Sequence, residues 1–133
     1  MQRKSSNTVE VKFFKLNYQD ILKKLKEYAE KWVEKGAKAV ILIGSLARGD
    51  YTAFSDADIV IISDKVPPRP IDRIKDYIDP KLPIDLEPRI YTTKEVIKMA
   101  KEKRRIIKEI VGYGKLLAGN RELIKELEEI LKH

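Results

Sequence analysis

Residues 39–62 read AVILIGSLARGDYTAFSDADIVII and carry the clearest strand signals in the sequence. It holds two short apolar runs, Ala39 to Ile43 and Ile59 to Ile62, on either side of a polar segment with two glycines. Short apolar runs that are bounded by glycine or polar residues are typical of strands buried on both faces of a sheet. The stretch therefore predicts two buried strands that flank a turn-containing segment, residues 44–54.

The sequence around this stretch predicts helices and two further strands. Apolar residues recur at helical spacing from Tyr18 to Glu34, and Gly36 stands where a C-terminal cap belongs. Further helical patterns cover residues 71–78, 93–101, 106–112 and 120–132. Alternation of apolar and polar residues predicts an edge strand over residues 9–13, and a third strand is predicted over residues 83–91. We expect an α/β (α+β) fold, a small mixed β-sheet flanked by helices.

Length and composition indicate one compact domain. A chain of 133 residues with 43% hydrophobic and 37% charged residues has the proportions of a globular protein. We expect a single domain over residues 1–133, with residues 1–7 flexible and residues 120–132 forming an amphipathic C-terminal helix. Abundant Lys and Glu together with the absence of Cys also resemble the composition of thermophile proteins.

The same composition excludes several function classes. There is no cysteine and a single histidine, His133, so disulfides, thiolate sites, histidine zinc sites and a Ser-His-Asp triad are not supported. Oxygen ligands and a hard metal ion remain. No apolar run approaches the roughly 20 residues that cross a bilayer, so we expect a cytoplasmic protein. The net charge of +7 favours phosphate-bearing ligands without naming one.

The segment Gly44 to Gly49 is a candidate phosphate-binding turn. It follows a buried strand directly, at the sheet edge where α/β proteins place ligands. Gly44 lets a phosphate approach the main chain, Ser45 offers a hydroxyl, and Arg48 offers a guanidinium. The alternative is an ordinary strand-turn-helix with a serine cap. No Gly-Lys-Ser/Thr follows, so a P-loop is not supported.

Three aspartates are candidate metal ligands. Asp56 and Asp58 are two residues apart at the head of an apolar strand, so both carboxylates lie on one face, where a divalent cation would relieve their repulsion. The alternative is a solvated turn with Asp56 as a capping residue. Asp85 lies between two apolar residues, and Glu87 shares its face. If this third strand pairs beside the second, Asp85 completes a three-carboxylate cluster; otherwise it is an outward-facing surface residue.

Taken together, Gly44-Ser45, ten intervening residues, Asp56-x-Asp58 and Asp85 resemble the minimal nucleotidyltransferase family of the polymerase-beta-like superfamily. The resemblance extends from Val9 to Asn120. One departure is Leu46, where many relatives carry a basic residue, which leaves Arg48 as the main side chain for phosphate contact.

The resemblance implies an enzyme that moves a nucleoside monophosphate from ATP or another NTP onto an acceptor hydroxyl, with two Mg²⁺ ions. It implies that Asp56, Asp58 and Asp85 are the catalytic metal ligands and that Gly44, Ser45 and Arg48 bind the nucleotide. Some similar family members are antitoxins that attach AMP to a tyrosine of a helical HEPN-type toxin, so a HEPN-type partner is expected. The apolar stripe of the last helix would suit docking of that partner, or it packs on its own sheet.

Other readings stay open at this point. The acceptor could be a small molecule, or the chain could be a binding module that neutralises a partner without catalysis. A homo-oligomer is an alternative to a separate partner protein. Nucleic acid binding draws on the net charge of +7, but only 8% of residues are aromatic and no basic-aromatic interleaving supports it.

Overall fold

The computed structural model describes residues 2–52 and 54–133, with side chains described from residue 17 onward. In this part of the chain, five α-helices, two 3-10 helices and four strands follow one another. They are α1 (Gln2–Glu34), β1 (Ala39–Ile43), α2 (Gly44–Arg48), β2 (Ala57–Ile62), the 3-10 helices Pro70–Asp72 and Ile74–Tyr77, β3 (Leu86–Tyr91), α3 (Thr93–Lys101), α4 (Arg105–Gly112), β4 (Lys115–Gly119) and α5 (Arg121–Lys132).

The four strands form one mixed sheet in the order β3-β2-β1-β4. β1 runs antiparallel to both β2 and β4, whereas β2 and β3 are parallel. The predicted small mixed sheet flanked by helices is therefore confirmed. β1 and β2 are the central strands, and central strands are covered on both faces. Every residue of β1 is therefore buried, and so is every residue of β2 except Asp58, which is partly buried.

Helices cover both faces of the sheet. On one face, Leu25 and Ala29 of α1 pack with Leu42 and Ile59. On the opposite face, α3, α4 and α5 pack against the alternate residues of the same strands, such as Ile41. Strand residues alternate between the faces, so β1 and β2 need apolar side chains at nearly every position to fill both cores.

The last helix contributes to one of these cores. Leu123 and Leu127 of α5 are buried together with residues of α3, α4 and the sheet. Asn120 caps the helix, as predicted, because its side chain accepts a hydrogen bond from the Glu122 N–H at 2.8 Å. The apolar stripe of α5 therefore packs inside this chain, as the simpler of the two sequence interpretations predicts.

Two predicted elements were wrong, and one strand was not predicted. The edge strand predicted over residues 9–13 is absent, since these residues lie in α1. β4 takes one edge instead, a strand that the sequence did not predict. The helix predicted over 71–78 is replaced by two 3-10 helices that begin at Pro70. The flexibility expected of residues 1–7 stays a prediction. Met1 and the side chains of residues 2–7 lie outside what the structure describes.

A buried arginine fixes the far end of β3. Only 1% of the Arg73 side chain is exposed, and it donates hydrogen bonds to the carbonyls of Pro67, Pro68 and Ile90 and to the Glu95 carboxylate at 2.7 Å. Buried charges need such partners because desolvation is costly. Arg73 thus ties the proline-rich connection to β3 and to the start of α3, where Glu95 also completes a capping box.

The part of the chain that the structure describes contains no helix with both the length and the apolar character needed to cross a bilayer.

Candidate active site

The turn after β1 brings the main chain against a carboxylate. Gly44 begins α2 with φ +75°, a conformation that favours glycine. Ile43, the residue before it, pairs with Asp58 across the two antiparallel strands. A Cβ on residue 44 would lie 2.1 Å from Oδ2 of Asp58, so no other residue fits without moving that carboxylate. The short helix α2 thus begins at a position where the neighbouring Asp58 carboxylate requires glycine.

Hydroxyl hydrogen bonds fix the segment that follows α2. Ser45 Oγ donates to Ser55 Oγ at 3.1 Å, and Ser55 Oγ also accepts from the Thr52 N–H at 2.8 Å. The N-cap position of α2 is Ile43, and no side chain makes a capping hydrogen bond there. Ser45 is therefore not the helix cap of the alternative interpretation. Its hydroxyl instead links the two ends of the segment that joins β1 to β2.

Asp58 lies among like charges. The parallel register pairs it with Glu87 of β3, so the two side chains share one face of the sheet. The pKa of Asp58 is raised to about 6, mainly by burial and also by the carboxyl groups of Glu87 and Asp56, whereas Arg89 lowers it. Arg89 Nη1 lies 3.8 Å from Asp58 Oδ1. The sequence argument expected repulsion between Asp56 and Asp58, whereas in the structure burial and Glu87 contribute more to the shift than Asp56 does.

The other two predicted carboxylates are more exposed. Asp56 directly precedes β2, and Asp85 directly precedes β3, where its carbonyl accepts a hydrogen bond from the Ala57 N–H at 2.8 Å. The third strand does pair beside the second, as the sequence argument required. The charged groups that shift the pKa of Asp58 are Glu87, Arg89 and Asp56, and Asp85 is not among them. The structure thus brings Glu87, to which the sequence assigned no role, beside Asp58.

The donor chemistry suits a hard cation, although no ligand cluster is preformed. Within the described residues, no group of three or more Asp, Glu or His side chains is arranged to hold a metal ion. Asp58 nevertheless has a raised pKa because of its burial and its acidic neighbours, and a bound cation would favour its ionised form. Oxygen-only ligands with an excess of negative charge are what Mg²⁺ takes in proteins. The residues present therefore fit Mg²⁺.

An open cleft of about 500 Å³ lies beside this carboxylate, within the range of small-molecule sites. Its lining includes Gly44, Ser45 and Asp58, together with three arginines, Arg48, Arg89 and Arg105. Guanidinium groups are well suited to phosphate oxygens. Arg48 was predicted from the sequence, whereas Arg89 and Arg105 were not. The signal for Arg89 is its two-residue spacing from Glu87 on β3, and Arg105 carries no comparable signal.

The sequence matches the family described as nucleotidyltransferase domain over residues 21–133. This chain belongs to that family. The nucleotidyltransferase resemblance drawn from the Gly-Ser turn and the aspartate pair is therefore confirmed, and with it the enzyme class. A search of curated proteins found no significant match.

Solved structures with a similar fold come from toxin–antitoxin systems. One is a toxin–antitoxin complex with AMP-PNP, with TM-score 0.56, 16% identity and coverage of 81% of this nucleotidyltransferase and 87% of that chain. A second is a mutant MntA-HpeT toxin–antitoxin pair, with TM-score 0.54, 14% identity and coverage of 84% and 87%. A third is a tri-AMPylated Shewanella oneidensis HEPN toxin in complex with an MNT antitoxin, with TM-score 0.52, 14% identity and coverage of 87% of each chain. At these identities the likeness concerns the fold.

Packing explains the departure at position 46. Leu46 of this nucleotidyltransferase is 1% exposed and belongs to the core between α1 and the sheet. Its carbonyl accepts a hydrogen bond from the Tyr18 hydroxyl at 2.7 Å, which fastens α2 to α1. A basic side chain at this position would have to enter an apolar core. Arg48 is the basic side chain of α2 that lines the cleft, and its contact with phosphate stays a prediction.

Proposed function

We propose that this nucleotidyltransferase transfers AMP from ATP to an acceptor hydroxyl, and that the acceptor is a tyrosine of a HEPN-type helical partner protein. The observation that carries the transfer chemistry is the position of Asp58, whose carboxylate lies against the Gly44 turn. Glu87 is a like charge beside it, and the cleft next to it is lined by arginines. Carboxylates for a metal and donors for phosphates thus meet at one place. The expected cytoplasmic location would supply ATP.

Asp56, Asp58 and a third carboxylate, either Asp85 just before β3 or Glu87 within β3, are the proposed ligands of two Mg²⁺ ions. Asp85 is the sequence candidate for the third carboxylate, and the register favours Glu87, which pairs with Asp58. Bound Mg²⁺ would offset the charge of the triphosphate and lower the pKa of the acceptor hydroxyl. One of the similar structures carries Asp-to-Glu substitutions at two positions that are two residues apart, the same spacing as Asp56 and Asp58.

The remaining cleft residues are assigned to the triphosphate. The Gly44 main chain, the Ser45 hydroxyl and Arg48 would hold the β- and γ-phosphates, and Arg89 and Arg105 add positive charge along the same cleft. The acceptor oxygen attacks the α-phosphorus as the bond to the pyrophosphate oxygen breaks. The third carboxylate, Asp85 or Glu87, accepts the proton of the acceptor hydroxyl. Pyrophosphate leaves with the electron pair of the broken bond.

The partner assignment rests on the similar structures. Two of them pair an antitoxin of this fold with a toxin, and the toxin of the third is described as tri-AMPylated. AMP-PNP, an ATP analogue, is present in one of these complexes. Leu123 and Leu127 of the α5 stripe are buried in the core of this chain, so these two residues are not available to a partner.

Labelled ATP tests the reaction type. The protein is incubated with Mg²⁺, a HEPN-type protein and ATP labelled at either the α- or the γ-phosphate. Label from the α position is expected on a tyrosine of the partner, and EDTA is expected to prevent its transfer. Transfer of γ-label would indicate a kinase, and the absence of transfer to any protein or small-molecule acceptor would contradict the proposal and favour a binding module.

Matched substitutions test the ligand assignment. Asp58→Asn is expected to abolish transfer, whereas Asp20→Asn, an exposed aspartate on α1, serves as the control. Glu87→Gln and Asp85→Asn are compared directly. If Glu87 is the third ligand, Glu87→Gln loses transfer by at least about 10²-fold and Asp85→Asn keeps most of it. The reverse result would return that role to Asp85.

A further inference from the structure

The side chain of Arg48 is held from two sides although 43% of it is exposed. Its Nε donates to both carboxylate oxygens of Asp50 at 3.2 Å, and its Nη1 donates to the Tyr113 hydroxyl at 3.1 Å. The guanidinium carbon also lies 5.4 Å from the centre of the Tyr113 ring, within reach of a cation–π interaction. An exposed arginine ordinarily samples many rotamers, whereas this one is restricted.

Tyr113 is itself oriented by a third residue. Its hydroxyl donates to Glu109 Oε1 at 2.5 Å, which leaves the oxygen lone pairs free to accept from Arg48. Desolvation and the Glu109 carboxylate raise the pKa of Tyr113, so the hydroxyl keeps its proton at neutral pH. The direction of both hydrogen bonds is therefore fixed: Arg48 donates to Tyr113, and Tyr113 donates to Glu109.

Glu109 also lies beside a second arginine of the same cleft. Its Oε2 is 3.6 Å from Nε of Arg105, one helical turn earlier on α4. Glu109, Arg105 and Arg48 all line the cleft that contains Gly44 and Asp58. One carboxylate thus lies near both cleft arginines: it forms an ion pair with Arg105 and is linked to Arg48 through the Tyr113 hydroxyl.

We propose that Tyr113 and Glu109 are positioning residues that hold Arg48 ready for the triphosphate. The proposal rests on the proposed function, because it assumes that the cleft binds a nucleoside triphosphate. Restricting Arg48 before binding lowers the entropy that is lost when its guanidinium contacts a phosphate, and this increases affinity without a new contact. Glu109 and Tyr113 need not touch the nucleotide themselves.

The chemistry predicts which ligands are affected. A residue that acts through Arg48 changes affinity for ligands with a polyphosphate and leaves affinity for the nucleoside unchanged. One net hydrogen bond corresponds to about a 3- to 10-fold change in affinity. Tyr113→Phe removes the hydroxyl and keeps the ring, so ATP is expected to bind about 3- to 10-fold more weakly while adenosine binding stays the same. In the transfer reaction, KM for ATP is expected to rise while kcat is preserved.

Calorimetric titration with ATP and adenosine on the full chain tests the proposal. Glu109→Ala is expected to weaken ATP binding at least as much as Tyr113→Phe, whereas Glu126→Ala, an exposed glutamate of α5, serves as the matched control. Thermal unfolding of each variant is measured in parallel. Equal weakening of ATP and adenosine, accompanied by a lower Tm, would mean a structural role and would overturn the proposal.

A double-mutant cycle gives the decisive result. In an Arg48→Ala background, Tyr113→Phe is expected to have no further effect on ATP affinity, because the residue through which it acts is gone. Additive effects would overturn the proposal. If the wild-type chain fails to bind ATP, both this proposal and the proposed function fail. If it binds ATP and Tyr113→Phe binds ATP equally well, only the positioning role fails.

Discussion

Replacing Asp58 by asparagine is expected to make the folded protein more stable while it removes nucleotidyl transfer. In the structure this carboxyl is partly buried, lies against Gly44, and has Glu87 and Asp56 as neighbours. Burial and these neighbours raise its pKa from 3.8 to about 6. Asparagine has nearly the same shape and carries no charge, so it relieves the strain and cannot replace a carboxylate as a metal ligand.

The pKa shift of Asp58 sets the expected change in the free energy of unfolding. A change of one pKa unit corresponds to about 1.4 kcal/mol, so the shift of Asp58 corresponds to about 3 kcal/mol as an upper limit. The side chain is 24% exposed, and solvent screens part of this interaction. We therefore expect Asp58→Asn to raise the free energy of unfolding by about 1–2 kcal/mol at pH 8 in the absence of divalent cations.

The stability that Asp58→Asn gains depends on pH. A carboxyl with a raised pKa in the folded state favours folding fully below its unfolded pKa of 3.8, and that contribution is lost as the pH rises through about 6. The wild type should thus lose stability between about pH 4 and pH 6, and the variant should not. The gain is expected to be largest above pH 7 and to vanish near pH 4.

Urea unfolding followed by tryptophan fluorescence measures this difference. Trp32 is the single tryptophan, and its ring centre lies 4.1 Å from that of Tyr77 in the core. Glu87→Gln should give a smaller gain, because it removes the like charge and leaves Asp58 buried, and the double variant should gain less than the sum because both changes remove the same repulsion. A variant at pH 8 that is no more stable than the wild type, or a gain that persists at pH 4, would refute the reasoning.

Three further predictions concern Gly44, Arg73 and Glu95. Gly44→Ala should lower the free energy of unfolding by at least about 1–2 kcal/mol and abolish transfer, since residue 44 has positive φ and abuts Asp58; urea unfolding and the transfer assay measure both. Arg73→Met should destabilise by about 3–5 kcal/mol in the same unfolding assay, because it leaves Glu95 and three carbonyls without their donor. Hydrogen bonds from Arg73 lower the pKa of Glu95, so Glu95 stabilises the fold above pH 4.5 and loses this effect as the pH falls; Glu95→Gln should flatten the acid limb of a pH titration of stability.

The local elements of the fold could be predicted from the sequence wherever a pattern was long or unambiguous. β1, β2 and β3, the helical stretch before Gly36 and the α5 helix capped by Asn120 all lie where their patterns placed them. The five-residue alternation over residues 9–13 was too short to distinguish a strand from part of a long helix. β4 has no strand signal of its own and becomes a strand because it pairs with β1. The thermophilic habitat suggested by composition stays a prediction.

The candidate site divides in the same way. The sequence alone predicts that Gly44 follows one buried strand and that Asp58 lies near the start of the next, because buried apolar runs and the turn between them are local features. Only the tertiary structure places Glu87 beside Asp58, since the parallel register of β2 and β3 joins segments separated by a long connection. Only tertiary packing likewise brings Tyr113 to Arg48, 65 residues away. Side-chain patterns report which surfaces are buried, whereas strand register and helix packing decide which charges meet.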